Sequence, residues 1–430
     1  MNIAFFLNSF PVLSQTFILN QITGLIDLGH DVDIYTYNIT NGPIMHSDVE
    51  KYRLLDRTFC HGRSGRIMPE NKFKRICGAI GILMTKHNTA PLYRSLNPIT
   101  LGSEATSLGL LYKADILAKN RDKYDILHCH FGPNGILAAK LRYIGAINGR
   151  LITTFHGFDV SKYIKSRGRN VYDFLFTKGD VFLPISEDMK NELVGLGCDP
   201  EKILVHRMGI DPSKFSPRYS EPGETINLLT VGRLVEKKGI IYGIRGVAEA
   251  LKRFPRIKYR IVGDGPLREK MEGLIAKLEI GDKVEILGWR RQDEVRKLMR
   301  DADIFLAPSV VDRNGDKEGL PVVLMEALAS GLPVISTVHS AIPELVEEGK
   351  SGFLVPERDV ETLVERLIFL LSHPERLIEM GRAGRSKIEK EFNIHKLNDQ
   401  LVEIYSKSMK SKEDDSPKAD LQESGSYTYK

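Results

Sequence analysis

The sequence predicts an α/β chain of two doubly wound domains, and three observations carry that reading. The chain opens as a strand and a helix. Residues 3–7 are a continuous apolar run (Ile3-Ala4-Phe5-Phe6-Leu7), a polar loop follows over 8–14, and a helix from about Gln15 puts Ile18, Ile22, Leu25 and Ile26 on one face. The second half then repeats a strand that runs into a glycine turn, at Val231-Gly232-Arg233 and again at Val262-Gly263-Asp264-Gly265. Between the halves lies the polar stretch 216–225, with Pro217, Pro222 and Gly223, which reads as a linker. At 430 residues the chain is too long for one ordinary core.

The first domain is placed at 1–215, the linker at 216–225 and the second domain at 226–388. Strands of the second domain are expected near 227–231, 258–262, 284–287, 304–307, 333–336 and 353–355. Residues 389–408 are expected to form a last helix. The tail 409–430 is polar and charged, with Leu421 almost its only aliphatic residue, and is expected to be disordered.

Composition excludes several classes. With 42% hydrophobic and 27% charged residues the chain is neither fibrous nor wholly disordered. Cys60, Cys77, Cys129 and Cys198 show no paired spacing, which argues for free thiols in a reducing compartment. His128-Cys129-His130 alternates across a strand and lacks a further ligand pair, and Asp31-Val32-Asp33 opens a second strand. Neither is read as a metal site, and no metal or other cofactor is expected. No signal peptide or membrane span is visible, so a cytoplasmic location is expected. Net charge is only +5 but uneven. Residues 51–94 hold ten Lys or Arg against two acids, Asp56 and Glu70. Within them, Phe73, Ile76, Cys77, Ile80 and Met84 share one helical face, with Lys72, Lys74 and Arg75 at one end. That face suits either packing on the sheet or contact with an anionic membrane surface.

The candidate chemistry lies in 301–352. Ile304 to Ala307 read as a buried strand stopped by Pro308. From Pro321 to Ser330 a helix is expected, with Pro in its first turn and Gly331 past its end. Its first N–H groups, at residues 319–322 (Gly319, Leu320, Pro321, Val322), form an anion site, although Pro321 itself has none to offer. Glu318 precedes the helix and Glu326 lies within it, so the two acids suit hydroxyls at opposite ends of a ligand whose phosphates lie between. Upstream, Gly232 opens a turn carrying Arg233, a planar fork for phosphate oxygens, and Lys238, a mobile point charge. Gly263 marks a second such turn. In an open α/β sheet these strand ends share one carboxyl edge, where ligands bind.

Taken together, Glu318-x7-Glu326, the Arg233 and Lys238 pair, Gly263-Asp264-Gly265-Pro266-Leu267-Arg268 and His156-Gly157-Phe158-Asp159 resemble the retaining glycosyltransferases of family four, also called glycosyl transferases group one. These have the GT-B fold of two Rossmann-like domains facing a central cleft. The likeness covers about residues 1–405 and is nearest to bacterial exopolysaccharide members of the colanic acid and amylovoran type. It implies a nucleotide-diphosphate sugar donor, uridine being the commonest base, and a glycan or polyprenyl-pyrophosphate-linked acceptor. It further implies that Arg233 and Lys238 meet the diphosphate, Glu326 the ribose, Glu318 the sugar, and the turn at Trp289 the base, with simple packing the other reading of Trp289. His156 would meet the transferred sugar, partly through its backbone carbonyl, and the last helix would cross back to the first domain. Ser14, Gln15, His130 and Asp159 are acceptor-side candidates, with helix capping the other reading of Ser14, Gln15 and Asp159 and simple burial the other reading of His130. In this chain residues 8–14 replace the glycine pair usual in the first loop, and Ala341 replaces a glycine before Ile342-Pro343-Glu344. A nucleotide-sugar epimerase of the same fold and a catalytically silent nucleotide-sugar scaffold are the rival readings. No nucleic-acid partner is expected.

Overall fold

The computed structural model describes residues 1–12, 15–40, 45–62, 68–85, 90–219 and 221–414. Two six-stranded parallel sheets form its frame. The first comprises β1 (Asn2–Phe10), β2 (Asp31–Ile39), β3 (Thr58–Cys60), β4 (Ile126–His130), β5 (Arg150–Phe155) and β6 (Val181–Pro184), in the order β3-β2-β1-β4-β5-β6. The second comprises β7 (Ile226–Val231), β8 (Ile257–Val262), β9 (Val284–Gly288), β10 (Ile304–Ala307), β11 (Val334–Thr337) and β12 (Gly352–Val355), in the order β12-β11-β10-β7-β8-β9. Counted from its first strand, each sheet has the Rossmann order. The order reverses between β1 and β4 in one and between β7 and β10 in the other, and ligands bind at the carboxyl ends of such a switch point. Helices cover both faces, which is why central strands such as β4 are buried throughout, its two histidines included.

Three expected boundaries move. The first strand continues to Phe10, because Ser9 and Phe10 pair with Asn38 and Ile39 of β2. The second-domain limit at 388 falls inside a helix, Pro374–Glu391. The last helix spans Ile394–Asp414 and not 389–408. Phe392 is fully buried, and Asn393 accepts the His395 N–H through its side chain, so the chain breaks and restarts there. Residues 409–414, expected in a disordered tail, are therefore helical; 415–430 lie outside the described residues.

That last helix packs on the helix Thr16–Asp27, and its Leu401 and Tyr405 are wholly buried in the first domain's core. Pro374–Glu391 packs instead on Val322–Ala329 of the second domain. The chain thus crosses between domains twice, at the linker and near 391–394.

A helical layer stands between β3 and β4. Its helix Lys72–Thr85 buries Ala79 and packs Ile82 and Leu83 on the core, with the Tyr112 hydroxyl donating to Arg75 O at 2.7 Å. The other apolar face points outward. No helix among the described residues is long and apolar enough to cross a membrane.

Candidate functional site

The strand-end turns of the second domain are tied to one another by their backbones. Gly232 N–H donates to Val262 O, Gly263 N–H to Gly288 O and Leu234 N–H to Asp264 O, each at 2.9 Å. Gly263 has φ +137°, and a side chain there would run into the Gly232 carbonyl, so this close approach requires glycine. Next along the edge, Lys238 closes a short 3-10 turn, Glu236–Lys238. Its Nζ lies 3.1 Å from Glu318 Oε2, while Lys237 Nζ is 3.6 Å from Glu318 Oε1 and 3.3 Å from Asp316 Oδ1. The structure therefore brings Lys238 to the loop before the helix Val322–Ala329. Arg233, in the same turn, is exposed and forms no ion pair among the described residues.

Glu318 is a buried acid with an unfilled requirement. Its Oε1 is buried without a hydrogen-bond partner among the described residues, although Oε2 meets Lys238. Burial alone would raise its pKa, but Lys238 and Lys237 outweigh that and hold it below the usual carboxylate value. The backbone of Glu318 is also fixed. Its N–H donates to His339 Nε2 at 3.0 Å, so the His339 proton sits on Nδ1 and donates to Glu357 Oε1 at 2.6 Å. Glu357 in turn accepts from Val311 N–H. Lys237, His339 and Glu357 escaped the sequence reading. His339 stands two residues beyond β11, at the same carboxyl edge, and strand-end position was the signal that could have found it.

Within the helix, Leu324 N–H is taken by Pro321 O at 3.0 Å, whereas the N–H groups of Val322 and Val323 have no partner among the described residues. Leu320 is buried just ahead of them. Glu326, one turn further, serves a different space from Glu318. It lines an interdomain cavity of about 420 Å³ together with Gln292 and Arg296 and, from the first domain, Thr16, Asn20 and Asp48. Burial pushes its pKa up to about 7, with Arg296 and a Gln292 hydrogen bond opposing in part. Trp289, just past β9, is 67% exposed and takes no part in the core.

On the first domain the acceptor-side candidates resolve differently. Ser14 lies outside the described residues. Gln15 precedes the helix Thr16–Asp27 but makes no side-chain capping bond. His130 and Asp159 are buried and fully occupied, so neither is a surface contact for an acceptor. His130 bonds Gln21 Oε1 and His156 Nε2, both at 2.9 Å. Asp159 does not cap the helix that follows it, Lys162–Arg167, although one N–H it accepts belongs to Gly132, which opens the helix Gly132–Tyr143. Its carboxylate accepts the N–H groups of Gly132, His156 and Gly157, at 3.1, 2.9 and 2.9 Å, and so ties the end of β4 to the loop after β5. His156 has its second nitrogen 3.2 Å from Met208 Sδ, and burial pushes its pKa down to about 3. Its ring is thus neutral and partnered. What it presents to the cleft is its backbone carbonyl, which faces Gly319 so closely that no side chain fits at 319.

Further contacts hold the domains together. Glu344 accepts from Glu187 N–H at 2.8 Å and from Arg207 at 3.0 Å, and Lys317 pairs with Glu192 and, at 3.5 Å, with Asp188. Among the described residues no group of three or more His, Cys, Asp or Glu side chains is placed to hold a metal. Asp31 and Asp33 are paired with Arg57 and Lys123.

Comparison with known proteins bears on the family and the fold. Residues 14–214 match the model of Glycosyltransferase Family 4, and residues 213–387 that of Glycosyl transferases group 1. The chain is 38% identical over 409 residues to the putative colanic acid biosynthesis glycosyltransferase WcaL of Salmonella typhimurium, covering 94% of this chain and 99% of that protein. It is 36% identical over 411 residues to the amylovoran biosynthesis glycosyltransferase AmsK of Erwinia amylovora, with the same coverage. Among solved structures, Anabaena HepE in complex with UDP superposes with a TM-score of 0.69 at 16% identity, over 95% of this chain and 100% of that one. Sucrose-phosphate synthase from Thermosynechococcus elongatus gives 0.71 at 19% identity, over 96% and 100%. With two Rossmann-ordered domains of the GT-B kind and relatives that match nearly end to end, the chain belongs to the group 1, family 4 glycosyltransferases, in the company of exopolysaccharide biosynthesis enzymes.

Proposed function

We propose that the protein moves a sugar from a UDP-sugar to a hydroxyl of a polyprenyl-pyrophosphate-linked glycan, with retained anomeric configuration, during assembly of a surface polysaccharide. One observation carries this reading. Glu318 Oε1 is a buried acceptor lacking a donor among the described residues, set between two lysines and the open end of a helix. A sugar hydroxyl supplies the donor that Oε1 lacks, while a diphosphate supplies the anion that the helix N–H groups and Lys238 favour.

As the bond from the anomeric carbon to the diphosphate oxygen breaks, the electron pair leaves with the nucleotide diphosphate. Lys238, Arg233 and the N–H groups of Val322 and Val323 receive that growing charge. Glu326 accepts the ribose hydroxyls in the interdomain cavity, and the exposed Trp289 ring offers a face for the base. The His156 carbonyl oxygen, fixed by Asp159, faces the positive charge that develops on the sugar. The buried His156 ring is a poor base, so the departing diphosphate takes the acceptor hydroxyl's proton as that hydroxyl's oxygen bonds the anomeric carbon on the same face. Charge neutralisation is assigned to these side chains and N–H groups, with no metal or other cofactor given a part. The enzyme is placed in the cytoplasm, peripheral to the inner face of the membrane that carries its acceptor.

A thermal-shift series with UDP-glucose, UDP-galactose, UDP-N-acetylglucosamine and GDP-mannose tests the donor. A ligand at ten times its Kd should stabilise the chain by about 1.4 kcal/mol. Glu318→Gln should weaken that shift for the sugar nucleotide more than for UDP alone. No response to any of the four donors would remove the reading.

A further inference from the structure

The helix Lys72–Thr85 turns an apolar face to solvent. Phe73 is 75% exposed, Ile76 51%, Ile80 50% and Met84 81%, and Cys77 on the same stripe is exposed as well. An amphipathic surface helix ordinarily buries such a stripe. Here the opposite side, with Ala79, Ile82 and Leu83, faces the core. The same helical layer leaves Tyr93 and Ile99 exposed, at 58% and 95%.

We infer that this outward face is a docking surface for an anionic lipid bilayer, which deepens the peripheral-membrane reading above by assigning it to particular side chains. Charge selects the partner. Lys72 and Lys74 flank Phe73 and are exposed, whereas Arg75 is turned inward onto the carbonyls of Pro69 and Glu70. Across residues 51–94 ten basic residues face two acidic ones. A second copy joined through this face would bring two more lysines to the interface and no acid of this helix to meet them. Anionic headgroups instead place negative charge beside the lysines and hydrocarbon beneath Phe73 and Met84. With 14 residues the helix is about 21 Å long, too short to span a bilayer, and so it lies in the interface plane.

The test is flotation of the full chain with vesicles of phosphatidylcholine alone and with a phosphatidylglycerol fraction. Binding should rise with the anionic fraction and fall with salt. The double variant Phe73→Ser and Met84→Ser should weaken vesicle partitioning by about tenfold or more, since each side chain contributes its own buried area. Its thermal melt should match the native chain, because neither residue touches the core. Lys72→Glu with Lys74→Glu should remove the preference for anionic lipid. Equal binding to both vesicle types, native-like binding by the serine variant, or a native dimer that the serine variant dissolves would each overturn the proposal, the last by assigning the face to a second copy. Donor-induced thermal shifts are read without lipid, so failure here and failure of the donor assignment are told apart.

Discussion

The carbonyl oxygen of His156 and the α-carbon of Gly319 face each other across the interdomain cleft with no space for a side chain between them. Gly157, at φ +118°, lies on the same seam. A Cβ there would come 3.2 Å from the Gly319 α-carbon and nitrogen. The two loops that would hold the transferred sugar therefore meet only because both residues lack a Cβ. Gly319→Ala should wedge the domains apart and lower kcat/KM for transfer by on the order of 10²-fold. The unfolding midpoint should hardly change, since the clash is between domains and a hinge opening relieves it. Steady-state kinetics beside calorimetry would show this, and native turnover in the variant would refute it.

Arg233 has no counter-ion among the described residues, whereas Lys238 is held at 3.1 Å by Glu318. The free guanidinium suits a phosphate that arrives with the donor. Arg233→Ala should reduce kcat by on the order of 10²–10³-fold while the fold is retained. Single-turnover measurement isolates the bond-breaking step, and near-native turnover would withdraw Arg233 from leaving-group stabilisation.

Glu326 should make donor binding depend on pH. Burial raises its pKa from 4.5 to about 7 in the folded chain. The native state then holds this proton more tightly than the unfolded chain, so its contribution to stability is present below about pH 4.5 and is lost as pH rises to about 7. Ribose hydroxyls donate to the ionised form, so donor affinity should run the opposite way. It should weaken by up to about tenfold per unit as pH falls below about 7. Glu326→Gln should flatten both profiles, as melts and titration calorimetry across pH would reveal.

Asp159 is a positioning residue, acting through the loop that carries His156. Asp159→Asn leaves one of its three backbone N–H groups without an acceptor and should cost about 1–3 kcal/mol of stability. Because the His156 carbonyl shifts, kcat should fall more than the donor KM rises. A merely structural role would lower the melting point and leave the kcat to KM balance as it was.

His156 should contribute no limb near pH 6.5 to the rate profile. Its ring nitrogens are taken by His130 and Met208, and burial keeps it neutral down to about pH 3. A kcat profile with an inflection near 6.5 that disappears in His156→Gln would contradict this.

Strand positions in the second domain were legible because five of the six strands end at or before a glycine or proline, Gly232, Gly263, Gly288, Pro308 or Pro356, and the sixth begins just after Pro333. All six expected strands lie within one residue of those observed. Lys238 and Glu318 were legible for a related reason, since strand-end turns of an open sheet converge. What escaped were relations that depend on packing direction. Phe73, Ile76, Ile80 and Met84 have the spacing of a core face, yet the helix buries its smaller side, and periodicity alone does not say which of two apolar stripes faces in. Asp159 stood in the right motif but lies beneath the surface, because backbone N–H groups reach it first, whereas the burial of His130 is one of the two readings its strand position allowed. His339 was passed over because its partner Glu357 comes from beyond another strand, a pairing without local signature.

The segments that join the domains bear on how the cleft opens. Ile210, just before the linker, donates its N–H to Phe392 O at 3.0 Å and accepts from Ile394 N–H at 2.9 Å, so the outgoing and returning chains are bonded side by side. A door on two pins set in one line swings but does not twist. Opening should therefore be rotation about one axis, with Gly157 and Gly319 parting along an arc and returning to the same register at every turnover.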